Sequence, residues 1–196
     1  MPGEKKLILA SRSPRRKELL TLTGIPFGTG SADIDETFDP ALSVEENVMT
    51  ISKKKAETVF TSFIAEADRL VVLGSDTTVV LDNQPLGKPG DFDHAFDMLS
   101  RLQGRQHEVV TGFCILDEHG FMMDYARTIV EFGIMTSDEI TRYIEIMQPF
   151  DKAGSYGIQD PQLACFVNRI DGCYYNVVGL PVSKVFAALK PLFPCN

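Results

Sequence analysis

Arg15 and Arg16 follow Ser13 and Pro14 in the stretch "LILASRSPRRKELL", where an apolar run gives way to a basic turn and then to a helical pattern. A helix start already presents partial positive charge through its unpaired N–H groups. Fixed cations are locally unfavourable there unless an anion offsets them. Strand, tight turn and helix N-terminus form the geometry in which backbone amides meet a phosphate. Two guanidinium groups add bidentate, charge-assisted donors for its oxygens. The alternative is that both arginines are solvated or pair with Glu18 and other acids.

A third cation stands out by its spacing. In "SVEENVMTISKKKAETVF" the three lysines 53 to 55 look like one solvated run, but a helix separates them. At ~100° per residue Lys55 falls between Val48, Ile51 and Val59 on the apolar arc, while Lys54 points to the opposite face. Lys55 either snorkels over the edge of the core or aims its ammonium at an anion in a cleft. "GKP" at Gly87 to Pro89 adds Lys88, which by itself reads as a surface lysine; the segment is too short for a P-loop, and neither G-x-x-x-x-G-K-[ST] nor G-x-G-x-x-G occurs.

Acids cluster in two places. "ADIDETFD" carries Asp33, Asp35, Glu36 and Asp39, and "GSDTT" carries Asp76 beside Gly74. We expect Asp76 at a strand end, the usual station of active-site carboxylates in sheet proteins. A carboxylate is a weak base near neutral pH unless its pKa is raised or a metal-bound water is its target. Hard oxygen donors of this kind suit Mg²⁺ or Mn²⁺. A solvated turn acid is the alternative for any one of them. In "PFDKAGSYGIQD" Gln159 could pair with a base edge, and the loop equally fits a plain connection.

These residues need elements to hold them. Residues 6 to 10 read as a buried strand, and Ser13–Pro14 as the cap and first turn of a helix reaching about Leu22, with Gly24 as its stop. Ser43 and Glu46 have capping-box spacing for a long helix from Val44. "RLVVLGSDTTVVLDNQPL" reads as two strands interrupted at Gly74, Ser75 and Asp76. A helix from Phe92 to Gln103, capped by Asp91 and ended by Gly104, precedes a hairpin with Glu118, His119 and Gly120 at its tip and a further strand. Thr136 and Glu139 cap a helix that must stop before Pro149. A long polar loop, a strand near Cys165 to Ile170 and a last helix from Pro181 complete the chain. Helices alternate with strands, so the fold class is α/β or α+β with a mixed sheet.

The 196 residues suit one good-sized domain or two small ones, and we read a single unit over 1–196. The formal charge of −8 argues against nucleic acid and anionic membrane as partners. The absence of a ~20-residue apolar run or a secretory h-region makes the expected location cytoplasmic. Cys114, Cys165, Cys173 and Cys195 form no C-x-x-C pair, so we expect buried free thiols, with no zinc site and no disulfide.

Taken together, "ASRSPRRKELL", "DIDE", "KKKAE", "GSDTTVVLDNQPLGKP", "LQGRQHEVVTG", "DKAGSYGIQ" and "YYNVVGLPV" resemble, in order and over essentially the whole chain, the Maf family of nucleoside triphosphate pyrophosphatases. The resemblance implies a mixed elongated sheet flanked by helices with a deep nucleotide-binding cleft. It implies hydrolysis between the α and β phosphates, with a divalent cation, to a monophosphate and pyrophosphate. By motif, Asp76 would be the proton acceptor, and Ser11, Arg15, Arg16, Lys55 and Lys88 would hold the triphosphate. Glu36 would help to place the metal together with Asp76. Arg15, Thr77 and Gln159 are similar to the branch selective for dTTP and UTP. Gln106 stands where the family usually has threonine, a departure that leaves His107 in place. A housekeeping role in removing unwanted nucleotides and a homodimer are also implied. A non-catalytic nucleotide-binding regulator linked to cell division is the competing reading.

Overall fold

A computed structural model describes residues 5–194, so Cys195 lies outside the described residues. Among the described residues seven strands form one mixed sheet. β1 (Lys6–Ala10) leads into α1 (Pro14–Thr21) and then β2 (Phe27–Gly30). α2 (Val44–Ser62) precedes β3 (Leu70–Leu81) and β4 (Gln84–Leu86). α3 (Phe92–Leu102) is followed by β5 (Gln106–Asp117) and β6 (Gly120–Phe132). α4 (Ser137–Met147), β7 (Val167–Asp171), α5 (Tyr174–Val178) and α6 (Val182–Leu189) close the chain. The strand order is β2-β1-β3-β5-β6-β7, with β4 paired to β3. β1 runs parallel to both neighbours, with Leu9 opposite Thr29 on one side and Leu73 on the other.

The caps form as the spacing requires. Ser13 accepts from the Arg16 amide, and Ser43 with Glu46 and Thr136 with Glu139 close reciprocal boxes. Three expectations change. β3 is not interrupted at Gly74–Asp76 but continues through to Leu81. Its break comes at Asp82 and Asn83, both at positive φ (52° and 61°), the left-handed pair that a two-residue hairpin turn demands. β6 likewise runs unbroken to Phe132, so the expected further strand is its second half. Only Cys114 of the described thiols is buried, where burial pushes its pKa up to about 12; Cys165 is exposed and Cys173 half-buried, and all three are free.

Contacts divide the chain into two compact units. The first holds Met1–Asp76, Thr111–Ala126 and Gly179–Asn196, the second Thr77–Val110 and Arg127–Val178. In the first, Ile8, Ala10, Ala56, Val59, Leu70, Val72 and Cys114 form a core between β1, β3 and α2. In the second, α3 and α4 pack Leu99, Leu102, Ile140 and Ile144 with Val130, Phe132 and Tyr156. Among the described residues no helix is long and apolar enough to cross a membrane.

Candidate active site

The first unit assembles a charged cluster on α1, α2 and β3. α2 buries Val48, Ile51, Ala56 and Val59, and the same face carries Lys55 inward, only 6% exposed, while Lys54 faces water. Lys55 reaches two carboxylates at once. Its Nζ lies 2.7 Å from Asp76 Oδ1 and 2.8 Å from Glu36 Oε1. Asp76 is itself 7% exposed, so the ammonium and the carboxylate satisfy each other out of water.

This meeting depends on Gly74. A Cβ there would lie 2.0 Å from the Ser52 carbonyl oxygen of α2. Glycine therefore lets the helix backbone approach the strand closely enough for Lys55 to meet Asp76 across it. Gly74 thus serves packing, not a chain reversal, and β3 continues through it. Asp76 stands in mid-strand instead of at the expected strand end. The neighbouring Ser75 is wholly buried, with its hydroxyl donating to the Gly112 carbonyl at 2.9 Å.

Arg16 completes the cluster. Its Nε donates to the Gly179 carbonyl at 2.8 Å, which ties the first turn of α1 to the segment before α6. Burial pulls the guanidinium below its ordinary pKa, the Asp76 and Glu36 carboxylates oppose that, and Arg15 adds to it. Arg16 thus lies within electrostatic reach of Asp76, Glu36 and Arg15. Ser11 accepts the Ser13 amide at 3.2 Å, shaping the turn that carries Arg15 and Arg16. The structure brings together Arg15, Arg16, Glu36, Lys55 and Asp76 in this one unit.

Thr77, Lys88 and Gln159 belong to the second unit. Thr77 is half-buried on β3, Lys88 is exposed after β4, and Gln159 is exposed in the loop after α4. That loop is more ordered than its composition suggests. Tyr156 and Ile158 are buried, and Tyr156 Oη lies 2.8 Å from His107 Nε2. The His107 and Tyr156 rings each meet Phe132 edge to face, at centroid distances of 4.7 and 4.9 Å. Burial lowers the His107 pKa to about 4, so the imidazole is neutral at ordinary pH. Tyr143 donates to Asp160 Oδ2 at 2.6 Å.

The sequence model of the family described as Maf-like protein matches residues 6–192. The chain belongs to the Maf family. Among its Maf relatives, one from Chlorobaculum tepidum, called dTTP/UTP pyrophosphatase, is 75% identical over 196 residues and 100% of both chains. A protein of the same name from Chlorobaculum parvum is 73% identical, covering 100% of this chain and 98% of its own. Another, from Chlorobium phaeovibrioides, is 51% identical over 95% of this chain and 96% of its own.

In this Maf chain no three His, Cys, Asp or Glu side chains converge as a metal cluster among the described residues. The donor chemistry nevertheless fits a divalent cation. Glu36 and Asp76 already point their oxygens at one positive group, the Lys55 ammonium. Two hard carboxylate donors, with the remaining positions left to substrate phosphates and water, match how Mg²⁺ is usually held.

Neither residue type nor spacing marks out Asp160, Tyr143 or Tyr156 in the sequence. Tyr143 reads as one more apolar position beside Ile140 and Ile144 on the buried stripe of α4. Asp160 reads as a loop acid. The only available signal was an acid directly after Gln159.

Proposed function

We propose that this chain hydrolyses dTTP and UTP to the nucleoside monophosphate and pyrophosphate, with the chemistry centred on Asp76. The observation that carries the reading is the buried Lys55 ammonium shared by Asp76 and Glu36 beside Arg16, in a chain 75% identical to a dTTP/UTP pyrophosphatase. Cleavage of the α–β anhydride consumes one water, breaks one P–O bond and releases a proton. Asp76 accepts that proton from the attacking water. Its partner Lys55 holds the carboxylate in a single orientation.

Arg15, Arg16, Lys55 and Lys88 bind the triphosphate, with Ser11 and the amides of the α1 turn beside them. Their charge opposes that of the substrate and stabilises the departing pyrophosphate. Arg15, Thr77 and Gln159 select the pyrimidine nucleotide. Glu36 and Asp76 would hold Mg²⁺ or Mn²⁺, which when bound supplies further positive charge against the phosphates. We read residues 1–196 as one Maf-like functional domain, working as a cytoplasmic homodimer in housekeeping removal of unwanted nucleotides.

The test is incubation of the protein with Mg²⁺ and a panel of nucleoside triphosphates. Pyrophosphate and monophosphate should appear in equal amounts, fastest from dTTP and UTP. Orthophosphate alone, or tight nucleotide binding without turnover, would overturn the reading, the latter in favour of a non-catalytic regulator.

A further inference from the structure

We infer that Asp160 and Tyr143 are positioning residues that hold Gln159 for selection of the nucleotide base. The inference rests on the role given to Gln159 above. Gly157 to Asp160 forms a closed turn, with the Asp160 amide donating to the Gly157 carbonyl at 2.9 Å. Of its two central residues, Ile158 is buried at 7% exposure and Gln159 is exposed. One anchors the turn, and the other is displayed.

The turn is locked by a carboxylate that has left water. Asp160 is 6% exposed, and its Oδ2 accepts from the Tyr143 hydroxyl at 2.6 Å and from the Gly157 amide at 3.2 Å. The Gly157 amide is shared with Tyr143 Oη at 3.1 Å, so helix, turn and carboxylate are joined in a closed set of bonds. A Cβ on Gly157 would lie 2.8 Å from Asp160 Oδ1, which makes glycine a condition of the closure. Beyond the turn, the Leu163 amide donates to the Asp160 carbonyl at 2.9 Å. Lys152 Nζ stands farther from Asp160, at 3.9 Å, and closer to Asp151, at 3.2 Å.

A buried carboxylate is retained only where its bonds are satisfied. Here the bonds tie the backbone on either side of Gln159 to itself and, through Tyr143, to α4. An amide side chain discriminates between bases only if its donor and acceptor are held in place, because the penalty for the wrong base is an unpaired polar group. Asp160 and Tyr143 therefore act on selectivity through Gln159 and touch no reacting atom.

Selectivity, taken as kcat/KM for dTTP over kcat/KM for CTP, is the readout, with circular dichroism reporting the fold. Gln159→Ala should lower it. Tyr143→Phe, which keeps the ring packed on α4, should lower it about tenfold through the KM for dTTP, leaving kcat for CTP within about twofold of the original. Asp160→Ala should do the same, and Asp160→Asn, whose amide oxygen can still accept both bonds, should restore most of the loss. Tyr143→Phe added to Gln159→Ala should change selectivity no further. If Gln159→Ala lowers selectivity while Tyr143→Phe and Asp160→Ala leave it intact, the positioning role is wrong. If Gln159→Ala itself has no effect, the role of Gln159 fails and takes this inference with it.

Discussion

Asp76 in the first unit and Asp160 in the second are equally withdrawn from water, at 7% and 6% exposure, yet they are held by opposite means. Asp76 faces an ammonium at 2.7 Å that it shares with a second carboxylate. Asp160 faces a tyrosine hydroxyl at 2.6 Å and a backbone amide, with its nearest cation at 3.9 Å. The first arrangement sets one positive charge between two carboxylates. The second divides its bonds between a helix side chain and the backbone of its own turn. Burial alone therefore does not distinguish the two carboxylates; the kind of partner does.

The strongest way to break that comparison is at Asp76 itself. Asp76→Asn should retain the fold and lose turnover by about a thousandfold or more, since removal of a catalytic base and its charge affects both proton transfer and electrostatics. Pyrophosphate release with dTTP checks this, and near-normal turnover would make Asp76 no different in kind from Asp160. Next in size is Lys55→Met. It leaves Asp76 and Glu36 without their shared cation, and loss of one partner of a buried ion pair costs about 3 kcal/mol or more. Urea unfolding at neutral pH should show that loss, and an unchanged midpoint would mean that Asp76 does not depend on charge for its burial.

A titration sharpens the other side. His107, beside Tyr156 in the second unit, has a pKa lowered by burial from 6.5 to about 4. The unfolded chain thus binds this proton more tightly than the folded one. Its contribution to stability is complete above pH 6.5 and is lost as pH falls toward 4, by roughly 3 kcal/mol in all. Unfolding free energies measured across that range should fall less steeply in His107→Gln, which can keep a bond to Tyr156 without titrating. Equal slopes would remove His107 as the cause. The smallest effect is the control: Arg105→Ala breaks an exposed pair with Asp82 at 2.6 Å and should change stability by less than about 1 kcal/mol.

Much of this organisation could be read locally. Ser43 with Glu46 and Thr136 with Glu139 specify helix starts because a cap needs only residues three apart. The inward face of Lys55 followed from helical period, which left open whether its ammonium snorkels or meets an anion; the structure puts two carboxylates on it. Gly74 misled for an equally physical reason. Within one strand, a glycine beside a serine and an acid looks like a break; only the packed helix reveals that it admits the Ser52 carbonyl.

The sequence by itself determined the caps, the helix faces, the order of motifs and hence family membership, all of which depend on residues near one another in the chain or on the linear order of short motifs. Tertiary structure decided that Lys55, 21 residues from Asp76, meets it through a hydrogen bond, and that Glu36 meets the same ammonium. It also decided that Tyr143 donates its hydroxyl to an acid 17 residues away. A helical or strand period states which way a side chain points, but its partner depends on how elements pack, and that is set by close approaches such as the one at Gly74.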